Sequence, residues 1–288
     1  MSFLIYCTMF IILSAASLLP CTLLLISIIW QRKTCLRSNL DFQTLGLLVA
    51  QLAYNMGVLT VHITNYTSGH FTSFNCTFSA IMLMCIVGTI VSIHMTIALD
   101  RYFILVATSA SVKFKTLIKR FLLLCNAAII ATEIIWCLKN DGFVPIESGV
   151  WCWVNLVGEG TLGTWLLFIF IFGATLLIGF CYLSIFFKVR EIKRSDAKII
   201  KLDDKVKIAN KFLFIFLVFA FTYSPTFLTF LYRFAFKTNI HVNVEYVCSA
   251  FVVLEPTFTT FLLLYLNRNY RAGFKRLVSA RFSENPSV

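Results

Sequence analysis

Charge is what this sequence has least of. Only 13% of its 288 residues are charged, and no more than 13 of them are acidic. Soluble domains carry charge at roughly 25% of positions. With 59% hydrophobic residues and 30 phenylalanines, the chain has more apolar surface than one aqueous core can cover, so lipid must be the solvent for most of it. Proline and glycine are also scarce, at 5 and 12 residues. The interrupted half-helices and inverted repeats of a seven-span transporter or channel are missing with them. The ten cysteines contain no CxxC and no Cys/His cluster, which removes the usual patterns of metal binding. His62, His70, His94 and His241 are scattered rather than gathered with carboxylates, so neither an enzyme nor a cofactor is expected. The net charge of +12 does not point to nucleic acid, because the basic residues lie between apolar runs, where membrane orientation accounts for them.

What is present is a series of seven apolar runs, near 3–30, 42–61, 76–106, 121–138, 161–187, 212–234 and 244–266. A spanning helix needs about 20 such residues. The reading is therefore an all-α bundle of seven transmembrane helices forming one domain over 1–288, at the plasma membrane. The first run is too long for the apolar core of a cleaved signal peptide and is read as a span. With the N-terminus outside, 21 of the 25 Lys and Arg residues fall on inner segments, nine of them between Lys188 and Lys211. That asymmetry sets the orientation. Two glycosylation sequons, at Asn65 and Asn75, then fall in the first outer loop. In the tail, residues 267–282 place Tyr270, Phe274 and Leu277 on one side and bases on the other, the pattern of an amphipathic helix lying on the inner leaflet.

The third run closes on Leu99-Asp100-Arg101-Tyr102 and opens, 25 positions before the arginine, on Cys76. A guanidinium at the inner edge of a bundle is costly unless paired, and Asp100 is the natural local partner. The alternative is an interfacial arginine that snorkels to headgroups. With the topology, these residues resemble the rhodopsin-like family of G-protein-coupled receptors, without identifying a subfamily. The segment Trp151-Cys152-Trp153 is similar also to the second outer loop of cyclic-AMP-receptor-like proteins. The rhodopsin-like resemblance implies a disulfide between Cys76 and Cys152 on the oxidising side, an extracellular ligand, and a heterotrimeric G protein as inner partner. Phe180-Cys181-Tyr182 looks like the inner half of the family's fifth helix, with Tyr182 packing towards Arg101 in an active state. Phe219-Ala220-Phe221-Thr222-Tyr223-Ser224-Pro225 is similar to the sixth-helix Phe-x-x-Cys-Trp-x-Pro, which makes Phe219, Tyr223 and Pro225 the switch and hinge. Lys205, 20 residues before Pro225, stands where many relatives carry an acidic partner for the arginine. The resemblance therefore implies raised basal activity. A decoy that binds without coupling fits the same residues.

Departures from the family pattern are equally specific. Gln51 stands where an Asp is usual, Ala174 replaces a proline, and Tyr223 replaces a tryptophan. The seventh-helix motif falls at either Glu255-Pro256 or Thr259-Thr260 and lacks its tyrosine. Position 83, five turns outward from Arg101, is Leu, so the aspartate of amine receptors is missing. No lysine lies in the seventh run, so a retinal Schiff base is excluded. Arg233, Glu245, Trp151 and Trp153, with Leu83, are the candidate pocket residues, Arg233 either receiving an anionic group or pairing with Glu245. Glu133 and Glu255 lie within runs, where ionisable groups are expensive. Glu255 is expected to be buried, holding its proton much of the time, and hydrogen-bonded to Gln51 or His94.

Overall fold

The computed structural model describes residues 3–36, 39–70, 72–140, 142–146, 152–154, 162–194 and 200–283. In chain order the elements are α1 Phe3–Trp30, α2 Arg32–Cys35, α3 Asn39–Ser68, α4 Ser73–Leu105, α5 Val112–Lys139, β1 Phe143–Pro145, β2 Cys152–Val154, α6 Leu162–Arg194, α7 Ile200–Phe236, α8 Val242–Leu266 and α9 Arg268–Ser283. Seven of these, α1, α3, α4, α5, α6, α7 and α8, are long and apolar enough to cross a bilayer. The chain is a seven-span helical bundle with its N-terminus outside and α9 on the inner leaflet.

Helix is the form a single segment must take in lipid, because every backbone polar group then finds its partner within the segment. The hydroxyl residues follow the same logic. Thr8, Thr60, Thr89, Thr132, Thr175 and Thr222 each return their proton to the carbonyl four residues earlier. Many of the phenylalanines, among them Phe180, Phe186, Phe214 and Phe221, lie exposed on the outside of the bundle, where lipid receives them. Inside, α4 is the central strut, touching α3, α5, α6, α7 and both strands. One apolar cluster fills the inner half around Leu47, Met95, Ile178 and Phe216. A second fills the outer half around Tyr54, Leu83, Trp153 and Phe230.

The helices outrun their apolar stretches wherever polar residues continue the pattern. The second span was expected at 42–61, yet α3 continues to Ser68, with Thr64, Thr67 and Ser68 bonding back along the helix. It stops at Gly69, whose φ of +70° suits glycine. The fourth begins at Val112 rather than 121, because Ser111 caps it by accepting from the Phe114 amide. The extension corrects the expected position of the sequons. Asn65 and Asn75 lie in helices and not in a loop; both are buried, and Asn75 Nδ2 donates to Asn65 Oδ1 at 2.7 Å. Neither amide is presented to solvent.

Among the described residues the structure departs from pure α at one place. β1 and β2 form an antiparallel pair with Val144 opposite Trp153. Cys152 of this hairpin is bridged to Cys76 at the outer end of α4, Cα to Cα 4.9 Å, and its amide donates to Ser79 Oγ at 3.2 Å. The outer hairpin is thus fastened to the strut.

At the opposite face α9 lies against α1, α2 and α8. Tyr270, 1% exposed, inserts into the inner cluster and donates to Asp41 Oδ1 at 3.4 Å. Burial pushes its phenol pKa up, so it remains a donor across physiological pH. Gly273 is required by close approach: a Cβ there would stand 2.9 Å from Ser27 Oγ, and Gln31 Nε2 donates to the Gly273 carbonyl at 3.4 Å. Gly273→Val is expected to lift α9 from α1 and expose Cys35, a buried thiol on α2 that lies against the Asn269 carbonyl. Maleimide labelling that rises at least ~5-fold and vanishes in the Cys35→Ser background reads this out; unchanged labelling shows that α9 is held elsewhere.

Candidate functional site

Three polar constellations lie along the bundle axis. The inner one is the triplet at the end of α4. Asp100 accepts from Lys119 Nζ of α5 at 2.7 Å and from Gln43 Nε2 of α3 at 2.8 Å. This corrects the expected pairing of Asp100 with Arg101: a lysine and an amide from two neighbouring helices take the carboxylate first. Among the described residues Arg101 forms no ion pair, and its Nε is buried without a hydrogen-bond partner. Tyr182 of α6 is buried within electrostatic reach of it and stacks on Phe216 of α7 at 6.3 Å. Tyr102 turns outward against Phe180 at 5.9 Å. Lys205 lies in α7, with its side chain outside the described residues.

The middle constellation joins α3 to α8. Gln51 and Glu255 are both 0% exposed. Gln51 Nε2 donates to the two Glu255 oxygens at 2.9 and 3.0 Å, and Thr259 Oγ1, one turn on, donates to Oε1 at 2.6 Å. Of the two partners expected for Glu255 the structure brings Gln51; His94 instead packs on Phe219 at 4.8 Å and Phe216 at 6.0 Å. A carboxyl cut off from water needs such donors, since removing one leaves the desolvation penalty uncompensated. Both readings of the seventh-helix motif face inward, as Glu255, Thr259 and Thr260 are all buried. Tyr54 and Tyr223 lie close enough to feel the charge of Glu255. Glu133 is also buried, with Cys137 Sγ against its Oε1 at 3.9 Å.

The outer constellation is an ion pair beside a cavity. Arg233 of α7 and Glu245 of α8 are 5% and 3% exposed and pair with each other, the second of the two expectations for Arg233. Beside them a cavity of about 290 Å³ lies between α4, α6 and α7. Leu83, Val87, Phe216, Phe219, Tyr223 and Phe230 line it, with Trp153 of β2 also in the wall, stacked on Phe230 at 5.0 Å. Of the candidate pocket residues the structure brings Leu83 and Trp153 to this cavity, while Arg233 and Glu245 serve each other. Trp151 lies outside the described residues.

α7 connects the three levels. Pro225 has no N–H, so the Phe221 carbonyl loses its usual donor. Ser224 Oγ donates to that carbonyl at 3.3 Å. Outward of the proline, α7 is moored to α8 by the Arg233–Glu245 pair and by Thr226 Oγ1 donating to the Cys248 carbonyl at 3.2 Å. Inward, the described contacts are apolar: Ala209 and Ile215 in the inner cluster, Phe216 and Phe219 against His94, and Phe216 against Tyr182. One half of the helix is held by directional polar bonds and the other by sliding surfaces.

Sequence reasoning missed Gln43 and Lys119. No local pattern marks either; the docking of α3 and α5 on α4 selects them. For the middle constellation, Gln51→Leu is expected to cost about 3 kcal/mol by stripping Glu255 of a donor, whereas Gln51→Leu with Glu255→Leu recovers most of it. Thermal unfolding of the purified variants measures this, and simple additivity would show that the two side chains are energetically independent.

Comparison with known proteins agrees with this geometry. No curated protein matches the chain. Residues 22–261, well over half of it, match the family described as 7 transmembrane receptor (rhodopsin family). With the seven spans and the Cys76–Cys152 bridge already established, the chain belongs to the rhodopsin family of seven-transmembrane receptors.

Proposed function

We propose that this receptor transmits the binding of a ligand in its outer half to a heterotrimeric G protein at the inner face of the plasma membrane, with raised basal activity. The observation that carries the reading is the state of Arg101. Its neighbouring carboxylate is committed to Lys119 and Gln43, and position 205 of α7 is a lysine. An arginine restrained by neither is ready to meet backbone carbonyls of an inserted partner.

The mechanism follows from the unequal mooring of α7. A ligand changes a conformational equilibrium only through contacts that differ between the two states. The cavity wall includes Phe216 and Phe219, the same residues whose stacking holds the inner half of α7, and Tyr223, which packs on Phe219. Occupancy that favours one arrangement of these rings therefore biases the helix about Pro225, opening or closing the space beside Arg101. Eight of the nine Lys and Arg residues between Lys188 and Lys211 lie in α6 and α7 and make their inner ends a basic docking surface, suited to an acidic partner face.

Two measurements test this reading. In cells expressing the chain, agonist-free G-protein dissociation is expected above that of mock-transfected cells, and Arg101→Ala is expected to bring it to the mock level with surface expression retained. Basal dissociation equal to mock in the parent removes the basal-activity part. Secondly, restoring a restraint is expected to quieten the receptor. Lys205→Glu gives α7 an acidic partner for Arg101, and Lys119→Ala releases Asp100 towards it; each should lower basal dissociation at least ~3-fold. A rise in either variant would contradict the role assigned to Arg101.

A further inference from the structure

The cavity between α4, α6 and α7 has a chemistry narrower than the proposed function requires. No charged side chain lines it. Arg233 and Glu245, the nearest candidates, are buried against each other. Three of its four hydroxyl-bearing wall residues are committed: Thr175 Oγ1 donates to the Ile171 carbonyl at 2.8 Å, Ser224 Oγ to that of Phe221 at 3.3 Å, and Thr226 Oγ1 to that of Cys248 at 3.2 Å. Tyr223 is the fourth: its ring lines the cavity, and its buried hydroxyl has no hydrogen-bond partner among the described residues. A ligand seated here gains apolar burial and, at most, one hydrogen bond to the Tyr223 hydroxyl. A carboxylate, phosphate or ammonium carried to this depth would leave water without replacement partners, at a cost of several kcal/mol.

The opening of the cavity points the same way. Phe172 on α6 is 58% exposed and Ser224 on α7 is exposed, yet both line the cavity. Both belong to the stretches of α6 and α7 that lie in the hydrocarbon layer, and these two helices touch only sparsely. The void therefore meets the surface where the surface is lipid. On the outer side Trp153 is buried, stacked on Phe230, and held beside the Cys76–Cys152 bridge. The volume of about 290 Å³ sits at the small end of ligand sites, which begin near ~300 Å³. It suits one acyl or isoprenoid chain or a compact ring system, and is too small for a folded peptide.

From this juxtaposition of an uncharged wall, hydroxyls of which only that of Tyr223 lacks a partner, and a mouth facing the hydrocarbon layer between Phe172 and Ser224, we infer that the ligand is a neutral lipid, drawn from the bilayer. This rests on the reading of the chain as a ligand-driven receptor, and it narrows the ligand to one class. Any polar group on that lipid stays near the mouth, and the hydrocarbon part fills the space against Leu83, Val87 and Phe219.

The test uses the full chain in phosphatidylcholine nanodiscs with three matched pairs of probes: farnesol and farnesyl phosphate, cholesterol and cholesterol sulfate, oleyl alcohol and oleic acid. At least one neutral member is expected to raise the unfolding temperature by ~2 °C or more, and its charged partner by less than ~0.5 °C. Ala220→Phe, which fills the cavity, should remove at least half of the shift, while Leu217→Phe on the lipid face leaves it unchanged. On the unsubstituted chain, a photoactivatable analogue of the stabilising lipid should label cavity residues, Phe172 and Phe227 among them. Equal stabilisation by a charged partner, no shift with any of the three neutral probes, or labelling confined to the outer loops overturns the inference. Arg101→Ala is expected to keep the full shift. A neutral-lipid shift without G-protein dissociation in the parent sinks the proposed coupling alone, whereas coupling without the shift sinks the neutral-lipid ligand alone.

Discussion

In hydrocarbon a polar group without a partner costs several kcal/mol, with no water to reduce the loss, and the disposition of this bundle follows from that constraint. It dictates helices, sends threonine hydroxyls back to their own carbonyls, and places a serine beside each of two prolines. Ser224 covers the carbonyl that Pro225 releases. Near Pro256, Ser17 of α1 donates to the Val253 carbonyl at 3.1 Å and accepts from Thr257 at 2.8 Å. Glu255 survives at the centre because donors from two helices converge on it. Those that bond between helices, Glu255 with Gln51 and Ser17 with the Val253 carbonyl among them, join elements that apolar packing alone would leave free to slide.

The same constraint explains why the inner triplet is arranged as it is. Asp100 has side chains of α3 and α5 within reach, and satisfying the carboxylate twice over is better than a single bond to its sequence neighbour. Its commitment leaves Arg101 beside Tyr182, without an ion pair among the described residues. Position 205, where the family resemblance places an acidic restraint, is a lysine, although Asp203 and Asp204 precede it in α7. Residues not belonging to the triplet, Gln43 and Lys119, thus decide what the arginine is available for.

How much of this could be read from residues alone depends on the range of the forces involved. Span number and orientation were legible, because apolar length and the distribution of Lys and Arg are summed over many positions. Span ends were less so. The run beginning near 121 marks where lipid starts, but lysine and arginine are good helix formers in water, so α5 begins at Val112 under its own serine cap. The partners of single polar groups were legible only where few choices existed. Glu255 had two candidate partners and took one of them, at a separation of 204 positions. Asp100 had many, and Lys119 is one inner lysine among a crowd of bases until tertiary packing singles it out. The sequon asparagines were placed in a loop because hydropathy falls near 61. The helix does not stop there, and Asn65 near its end faces inward against Asn75 at the start of α4, while Tyr66, Thr67 and Ser68 stay exposed.

The division of α7 at its proline has a mechanical meaning. Oriented charge and hydroxyl bonds resist displacement in every direction and break abruptly, whereas stacked rings shear past one another with each small contact replaced by the next. The outer end of the helix is accordingly an anchor and the inner end a bearing. Motion on the bearing side is graded, spread over His94, Tyr182, Phe216 and Phe219, so that no one of these rings acts as the latch and the resting position is the sum of many weak preferences.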